Sequence, residues 1–171
     1  GHLGTHLKQK IIDNGYFDLY CPNKEDVKNI LNGGRNFYKF KNSLIINLVA
    51  IVGNQNIKKN KSSYIELINS KFPSDLAKVC LATNSKLIHI STNSVFDNSN
   101  ERYRNINTKL ESKSIYGLSK INAELNIKKL LVDNNYLILR TPQQYSLKFM
   151  NKRNLFNGVY EQLKKENKIV I

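Results

Sequence analysis

The stretch Leu87-Ile88-His89-Ile90-Ser91-Thr92-Asn93-Ser94-Val95-Phe96 decides the fold. Its first half is an apolar run of strand composition. Its second half delivers hydroxyls, which is what the carboxyl end of a strand offers a ligand in an open α/β sheet. Similar runs rich in apolar residues lie at residues 17–20, 44–52 and 136–139. Between them, residues 7–14, 63–82 and 116–132 are long enough for two or more helical turns. Short buried strands alternating with helices describe a parallel sheet with helices on both faces, so the fold class is α/β.

Within the helix at 116–132, Leu118, Ile121, Leu125 and Val132 form one stripe expected to pack on the sheet, with Lys128 and Lys129 nearer the solvent edge. Ser112 or Ser114 caps its start. Pro73 cannot donate to a helix ladder, so residues 63–82 should kink or divide into two helices, the second capped by Ser74. Residues 97–113 are polar and long, a loop of the kind that carries binding function in such sheets.

Composition sets the outer limits. At 171 residues and 40% hydrophobic, the chain suits one domain spanning residues 1–171. It contains no run near the roughly 20 apolar residues of a membrane span, and no secretory leader opens it, so a soluble, cytoplasmic protein is expected. The net charge of +14 comes mainly from lysines scattered among asparagines, with one short concentration at Lys58, Lys59 and Lys61. Without a stripe interleaved with aromatics, this is a solvated surface rather than a nucleic-acid interface, though its field attracts small anions. Cys21 and Cys80 lack metal-type spacing and are expected as free, small buried hydrophobes. His2 and His6 have no third ligand, so no metal is expected. His89, inside a strand, is expected to be structural.

Both ends have an interrupted look. Gly1-His2-Leu3-Gly4-Thr5-His6-Leu7 reads as a glycine turn running straight into a helix, with no strand before it. Lys168-Ile169-Val170-Ile171 reads as a strand just begun. A fragment of a longer protein is the expectation.

A tyrosine four places before a lysine occurs at Tyr20 and Lys24, Tyr116 and Lys120, and Tyr160 and Lys164. Pro22 interrupts the first pair, and nothing upstream supports the third. Only Tyr116 follows a hydroxyl-bearing strand end. On a helix this spacing puts phenol and ammonium on one face, about 5 to 6 Å apart at Cβ. The positive charge favours phenolate, lowering the phenol from its usual pKa of about 10 toward the range of acid catalysis.

These residues resemble a known family. The strand resembles the "IHISTDYVF" segment, and Tyr116-Gly117-Leu118-Ser119-Lys120 with Ala123-Glu124 resembles the "YGxSKxxxE" helix, of extended short-chain reductases of the dTDP-4-dehydrorhamnose reductase type. Gly1 and Gly4, with Leu3 between them, resemble part of the family's GxxGxxG phosphate turn. Ile46-Asn47-Leu48-Val49-Ala50 resembles the "INxAA" strand end that lines the cofactor. Asn69 with Leu76-Ala77 resembles a family helix, and Leu139-Arg140-Thr141-Pro142-Gln143-Gln144-Tyr145 resembles "LRTSxxYG".

The resemblance implies a Rossmann-type doubly wound sheet and reduction of a nucleotide-linked 4-keto-6-deoxy sugar by NADH or NADPH. Thr92 would hydrogen-bond the substrate carbonyl and Tyr116 would donate the proton. Lys120 would bind the nicotinamide ribose and tune the tyrosine. Gly1, Leu3, Gly4, Asn47, Val49 and Ala50 would line the cofactor. Asn93, Ser94, Gln143 and Gln144 would face the substrate with Thr92. Lys24 would read a 2′-phosphate and favour NADPH. Family members commonly dimerise through the tyrosine-bearing helix, so a homodimer is implied.

Departures concern the substrate side. Asn93-Ser94 replaces Asp-Tyr, Ser146 replaces a glycine, and lysine-rich residues 54–61 replace an acidic segment. They leave open an epimerase or dehydratase of the same superfamily, although dehydratases add acidic residues beside the catalytic hydroxyl. A cofactor-binding regulatory subunit without turnover is the alternative from another class.

Overall fold

The computed structural model describes residues 2–15, 17–33, 40–52, 57, 59–97 and 103–142. The chain divides into two compact units, Gly1–Phe17 with Gln143–Ile171, and Asp18–Pro142. Among its described residues the first unit holds helix α1 (His2–Asn14), ended by Gly15, whose φ of 65° is the left-handed conformation that glycine adopts freely.

The second unit runs α2 (Lys24–Leu31), β1 (Leu44–Asn47), α3 (Ser62–Glu66), a π turn (Leu67–Lys71), α4 (Phe72–Thr83), β2 (Lys86–Thr92), a 3-10 turn (Asn93–Phe96), α5 (Ile115–Leu130) and β3 (Tyr136–Thr141). Its strands form a parallel sheet in the order β1, β2, β3, with Asn47 opposite His89 and Ser91 opposite Arg140. Ala77 and Cys80 of α4, Leu87 of β2 and Ile127 of α5 pack together with Leu131, so both helices close on one face of the sheet. A second cluster, Ile30, Phe72, Leu76 and Val79, seats α2 on α4.

Several expectations require correction. Residues 17–20 form no strand, and Phe17, Leu19 and Tyr20 are exposed. The run at 44–52 is a strand only to Asn47. Beyond it, side-chain amides replace the ladder: Asn47 Oδ1 accepts the Val49 N–H at 3.0 Å, and Asn69 Oδ1 accepts the Ile51 N–H at 2.7 Å. Cys21 is exposed, whereas Cys80 is buried.

Pro73 is met by one continuous helical path rather than by a Ser74 cap. In the π turn the Phe72 N–H reaches back five residues to the Leu67 carbonyl, and Pro73 then falls in the first turn of α4, where a missing N–H costs little.

The apolar stripe of α5 is also corrected. Ile121 is buried, but Leu118, Leu125 and Val132 are exposed. The buried face carries Gly117, Ser119, Lys120, Ala123, Glu124 and Ile127. Polar groups occupy the interior because each has a partner there, as the site shows.

Candidate active site

Strand β2 ends at Thr92, whose Oγ1 accepts the Ser94 N–H at 3.1 Å and so starts the 3-10 turn. The chain returns through residues 103–114, anchored where the Glu111 N–H meets the Val95 carbonyl at 2.8 Å. Ser114 caps α5, its Oγ accepting the Gly117 N–H at 2.9 Å. Gly117 is required by close approach: a Cβ there would lie 2.1 Å from Ser112 Oγ and 2.6 Å from the Ser94 carbonyl oxygen. This contact brings the first turn of α5 against the end of β2. Tyr116, half-buried, stands in that first turn, near enough for the Thr92 side chain to act on its phenol.

One turn on, Lys120 is buried, with Nζ 2.9 Å from His89 Nε2 and donating to the Ile90 carbonyl at 2.7 Å. Burial pushes the ammonium down to about 8, against the attraction of Glu124. His89 is buried too, and its Nδ1 lies 3.0 Å from Asn47 Nδ2. Burial and then the charge of Lys120 hold the imidazole neutral, down to about 2.

The phenol does not behave as expected. Burial raises Tyr116 above its ordinary value, opposed by the Thr92 hydrogen bond. Lys120 is not among the causes of this shift, and its own hydrogen bonds run to His89 and Ile90.

Glu124, fully buried, accepts from Arg140 Nε at 3.1 Å and Nη2 at 2.7 Å, and from Ser91 Oγ at 2.5 Å. Arg140 also lies over the Phe96 ring, 5.1 Å from its centroid. This cluster ties α5, β2 and β3 together one residue before Thr92. Asn69 Nδ2 reaches both the Ile51 carbonyl, at 3.1 Å, and Ser119 Oγ, at 3.2 Å, so one side chain joins the segment after β1 to α5.

Of the expected residues, Thr92 ends the central strand, and Tyr116 and Lys120 lie on the first two turns of α5, Lys120 reaching His89 and Ile90 of that strand. Asn47, Val49 and Ala50 follow the carboxyl end of the neighbouring strand. Asn93 is exposed and Ser94 half-buried in the 3-10 turn beside Thr92. Lys24 is exposed at the start of α2, which Asn23 caps, while Tyr20 bonds Asp26 rather than pairing with Lys24. Leu3 and Gly4 lie in the first turns of α1, in the other unit. Gly1, Gln143 and Gln144 lie outside the described residues, as does the pair Tyr160 and Lys164.

Sequence reasoning missed the network behind the site. Glu124 and Arg140 were quoted only as parts of motifs, and His89 only as a strand residue. A charged residue at a helical step of four from Lys120 was the available signal for Glu124. No cluster of three or more metal-ligating side chains occurs among the described residues, and no helix among them is long and apolar enough to cross a membrane.

Comparison with known proteins agrees with this architecture. The chain is similar to a dTDP-4-dehydrorhamnose reductase from Bacillus anthracis solved in complex with NADP, with a TM-score of 0.80 and 22% identity over 98% of this chain. It is similar to a dTDP-4-dehydrorhamnose reductase ortholog from Clostridium acetobutylicum, with a TM-score of 0.77 and 22% identity over 95% of the chain. It also resembles the Bordetella bronchiseptica enzyme WbmG solved with NAD, at TM-score 0.65 and 16% identity, covering 81% of this chain and 42% of that one. The chain spans 58% and 56% of the two reductases. None of the curated proteins matches. At these identities the likeness establishes the Rossmann-like fold. The family model described as the RmlD substrate binding domain matches residues 1–171, and the chain belongs to that family.

Proposed function

We propose that the protein is an NAD(P)-dependent reductase of a nucleotide-linked 4-keto-6-deoxy sugar, of the dTDP-4-dehydrorhamnose reductase kind. The observation that carries this reading is Thr92 at the end of β2 facing the helix start that bears Tyr116, where Gly117 packs on Ser94, with Lys120 buried one turn on. Thr92 would hold the carbonyl oxygen and Tyr116 would protonate it. A phenol raised above its ordinary value by burial is a proton donor at neutral pH, which suits the reducing direction.

The residues present fit a nicotinamide cofactor. Val49 and Ala50 offer a low apolar wall after β1. Lys120, buried on α5 with Nζ held by His89 and the Ile90 carbonyl, would exchange one of these contacts for a ribose hydroxyl. The bound nicotinamide would supply the hydride. Leu3 and Gly4 at the start of α1 would take part in holding the pyrophosphate. Lys24 would contact a 2′-phosphate in the NADPH form. Asn93, Ser94, Gln143 and Gln144 are assigned to the sugar nucleotide. The protein would work in the cytoplasm, as a homodimer joined through α5, where Leu118 and Leu125 are exposed. A likeness to an ADP-L-glycero-D-manno-heptose-6-epimerase from Helicobacter pylori, at TM-score 0.50 and 15% identity, supports epimerisation as the second reading.

Turnover with NADH and NADPH on dTDP-, GDP- and UDP-linked keto sugars decides between them. Tyr116→Phe should lower turnover about 10²- to 10⁴-fold with cofactor binding kept. Full activity in that variant would remove Tyr116 as donor. Cofactor binding without turnover of any sugar would favour a regulatory subunit.

A further inference from the structure

Lys71 with Asp75 and Lys120 with Glu124 share one order and spacing, a lysine four places before a carboxylate on a helical path, yet they behave differently. Lys71 and Asp75 pair directly, as that spacing allows. Lys120 and Glu124 turn apart. Lys120 is buried, with Nζ 2.9 Å from His89 Nε2 and donating to the Ile90 carbonyl at 2.7 Å, both on β2. Glu124, also buried, turns to Arg140 of β3, which reaches it from Nε at 3.1 Å and Nη2 at 2.7 Å, while Ser91 Oγ donates to Oε1 at 2.5 Å. Ser91 stands opposite Arg140 in the ladder and the Phe96 ring backs the guanidinium at 5.1 Å, so the fork meets the carboxylate from a fixed position.

We propose that Arg140, by gripping Glu124, keeps that carboxylate from pairing with Lys120, so that Lys120 stays an ammonium held by neutral partners that a cofactor ribose can replace. The identity of that ligand rests on the reductase reading. A bond in which both partners are charged is harder to give up than one to a neutral imidazole or a carbonyl. Held off by Arg140, Glu124 still lies one helical step of four from Lys120 in an interior of low dielectric, where its charge acts without contact. Burial pushes Lys120 down to about 8 against this attraction, which leaves it charged at neutral pH. The other charged groups on the elements around α5 are engaged elsewhere, Asp75 of α4 with Lys71 and Lys78, and Glu66 of α3 with Asn122. His89 faces Lys120 from β2 as a neutral imidazole, and burial keeps Tyr116 of α5 protonated.

Arg140 therefore acts through Glu124 as a positioning residue, with ammonium, carboxylate and guanidinium alternating in sign from α5 to β3. Without Arg140 the freed carboxylate has Lys120 within reach, at the spacing that Lys71 and Asp75 use. The lysine would then be more firmly charged and less able to bind the ribose.

The test follows Lys120 by lysine side-chain NMR, and NADPH binding by nucleotide fluorescence at about pH 6, where the lysine is charged in every variant. In Arg140→Gln the Lys120 titration should rise by about one unit or more, tenfold in the ammonium-to-amine ratio, while NADPH binds about tenfold more weakly. Adding Glu124→Gln removes the competing carboxylate. NADPH affinity should then return toward that of the unaltered protein, and the titration should fall below about 8. Loss of packing alone would weaken both variants without moving the two titrations in opposite directions. An unmoved or lowered titration in Arg140→Gln overturns the proposal, as does unchanged NADPH affinity in that variant. Should Arg140→Gln fail to fold, the double variant, which leaves neither charge unpaired, decides alone, and a titration at or above that of the unaltered protein overturns the proposal. If the unaltered protein binds neither NADPH nor NADH, the reductase reading fails, while the two titrations still decide whether Arg140 holds Glu124 off Lys120.

Discussion

Helix α5 has two faces of opposite character. The face toward the sheet buries Lys120 and Glu124, and the face toward solvent carries Ile115, Leu118 and Leu125. An ordinary surface helix does the reverse. The difference teaches that burial here follows partners rather than polarity. Glu124 is satisfied by Arg140 and Ser91, Lys120 by His89 and Ile90, and Ser119 by Asn69 and its own turn. No buried side-chain polar atom among the described residues lacks a hydrogen-bond partner. The exposed leucines make no such demand on their surroundings.

The most severe way to break this contrast is Glu124→Ala. It leaves Arg140 buried without its counter-charge and should cost about 3 to 5 kcal/mol, read as a fall in urea midpoint. A loss below about 1 kcal/mol would mean that the buried face tolerates unpaired charge. Gly117→Ala attacks the same face sterically. The methyl group would overlap Ser112 and the Ser94 carbonyl, so about 1 to 3 kcal/mol should be lost, and Tyr116 should shift from Thr92.

Proton linkage gives a third measure. His89 is held down to about 2 from an ordinary 6.5, so the unfolded chain binds the extra proton below pH 6.5 and stability falls as pH drops through that value. Lys120 is held at about 8 from 10.5, so the unfolded chain again binds more protons, and stability rises between about pH 8 and 10.5. His89→Phe should flatten the acid limb relative to the unaltered protein. An unchanged slope would place the acid sensitivity elsewhere. Smallest of all, Leu125→Ser should change unfolding free energy by no more than about 0.5 kcal/mol. The same substitution should weaken the proposed dimer in sedimentation, and an unaffected dimer would put the interface on another surface.

Much of this was readable in the chain. Strands β2 and β3 and helix α5 follow from apolar runs and period, and the same runs put Thr92 at the end of β2 and Tyr116 with Lys120 on α5. The stripe assigned to α5 failed because periodicity counts apolar residues, whereas this helix buries its polar ones. Residues 17–20 have strand composition but no strand, since composition cannot supply a ladder partner. The run after Asn47 leaves the sheet because the amides of Asn47 and Asn69 capture its backbone, a tertiary event with no local signature. His89 was read as structural, and it is buried and neutral. Its position between Asn47 and Lys120 depends on the parallel register, which only the assembled sheet fixes.

The π turn at Leu67–Lys71 acts as a phase shifter. Each residue of a helix advances the next by about 100°, so one residue accommodated in a wider turn sets the angular phase of everything after it. Upstream of the shift Ile65 faces inward, and downstream Phe72, Leu76 and Val79 face α2. Deleting one residue from this turn would relax it to a regular helix and rotate α4 by about a quarter turn or more relative to α3. Asn69, which holds the backbone after β1 and Ser119 of α5 at once, sits within that turn. The spare residue thus serves as the dial that keeps the segment after β1 and the tyrosine-bearing helix in step.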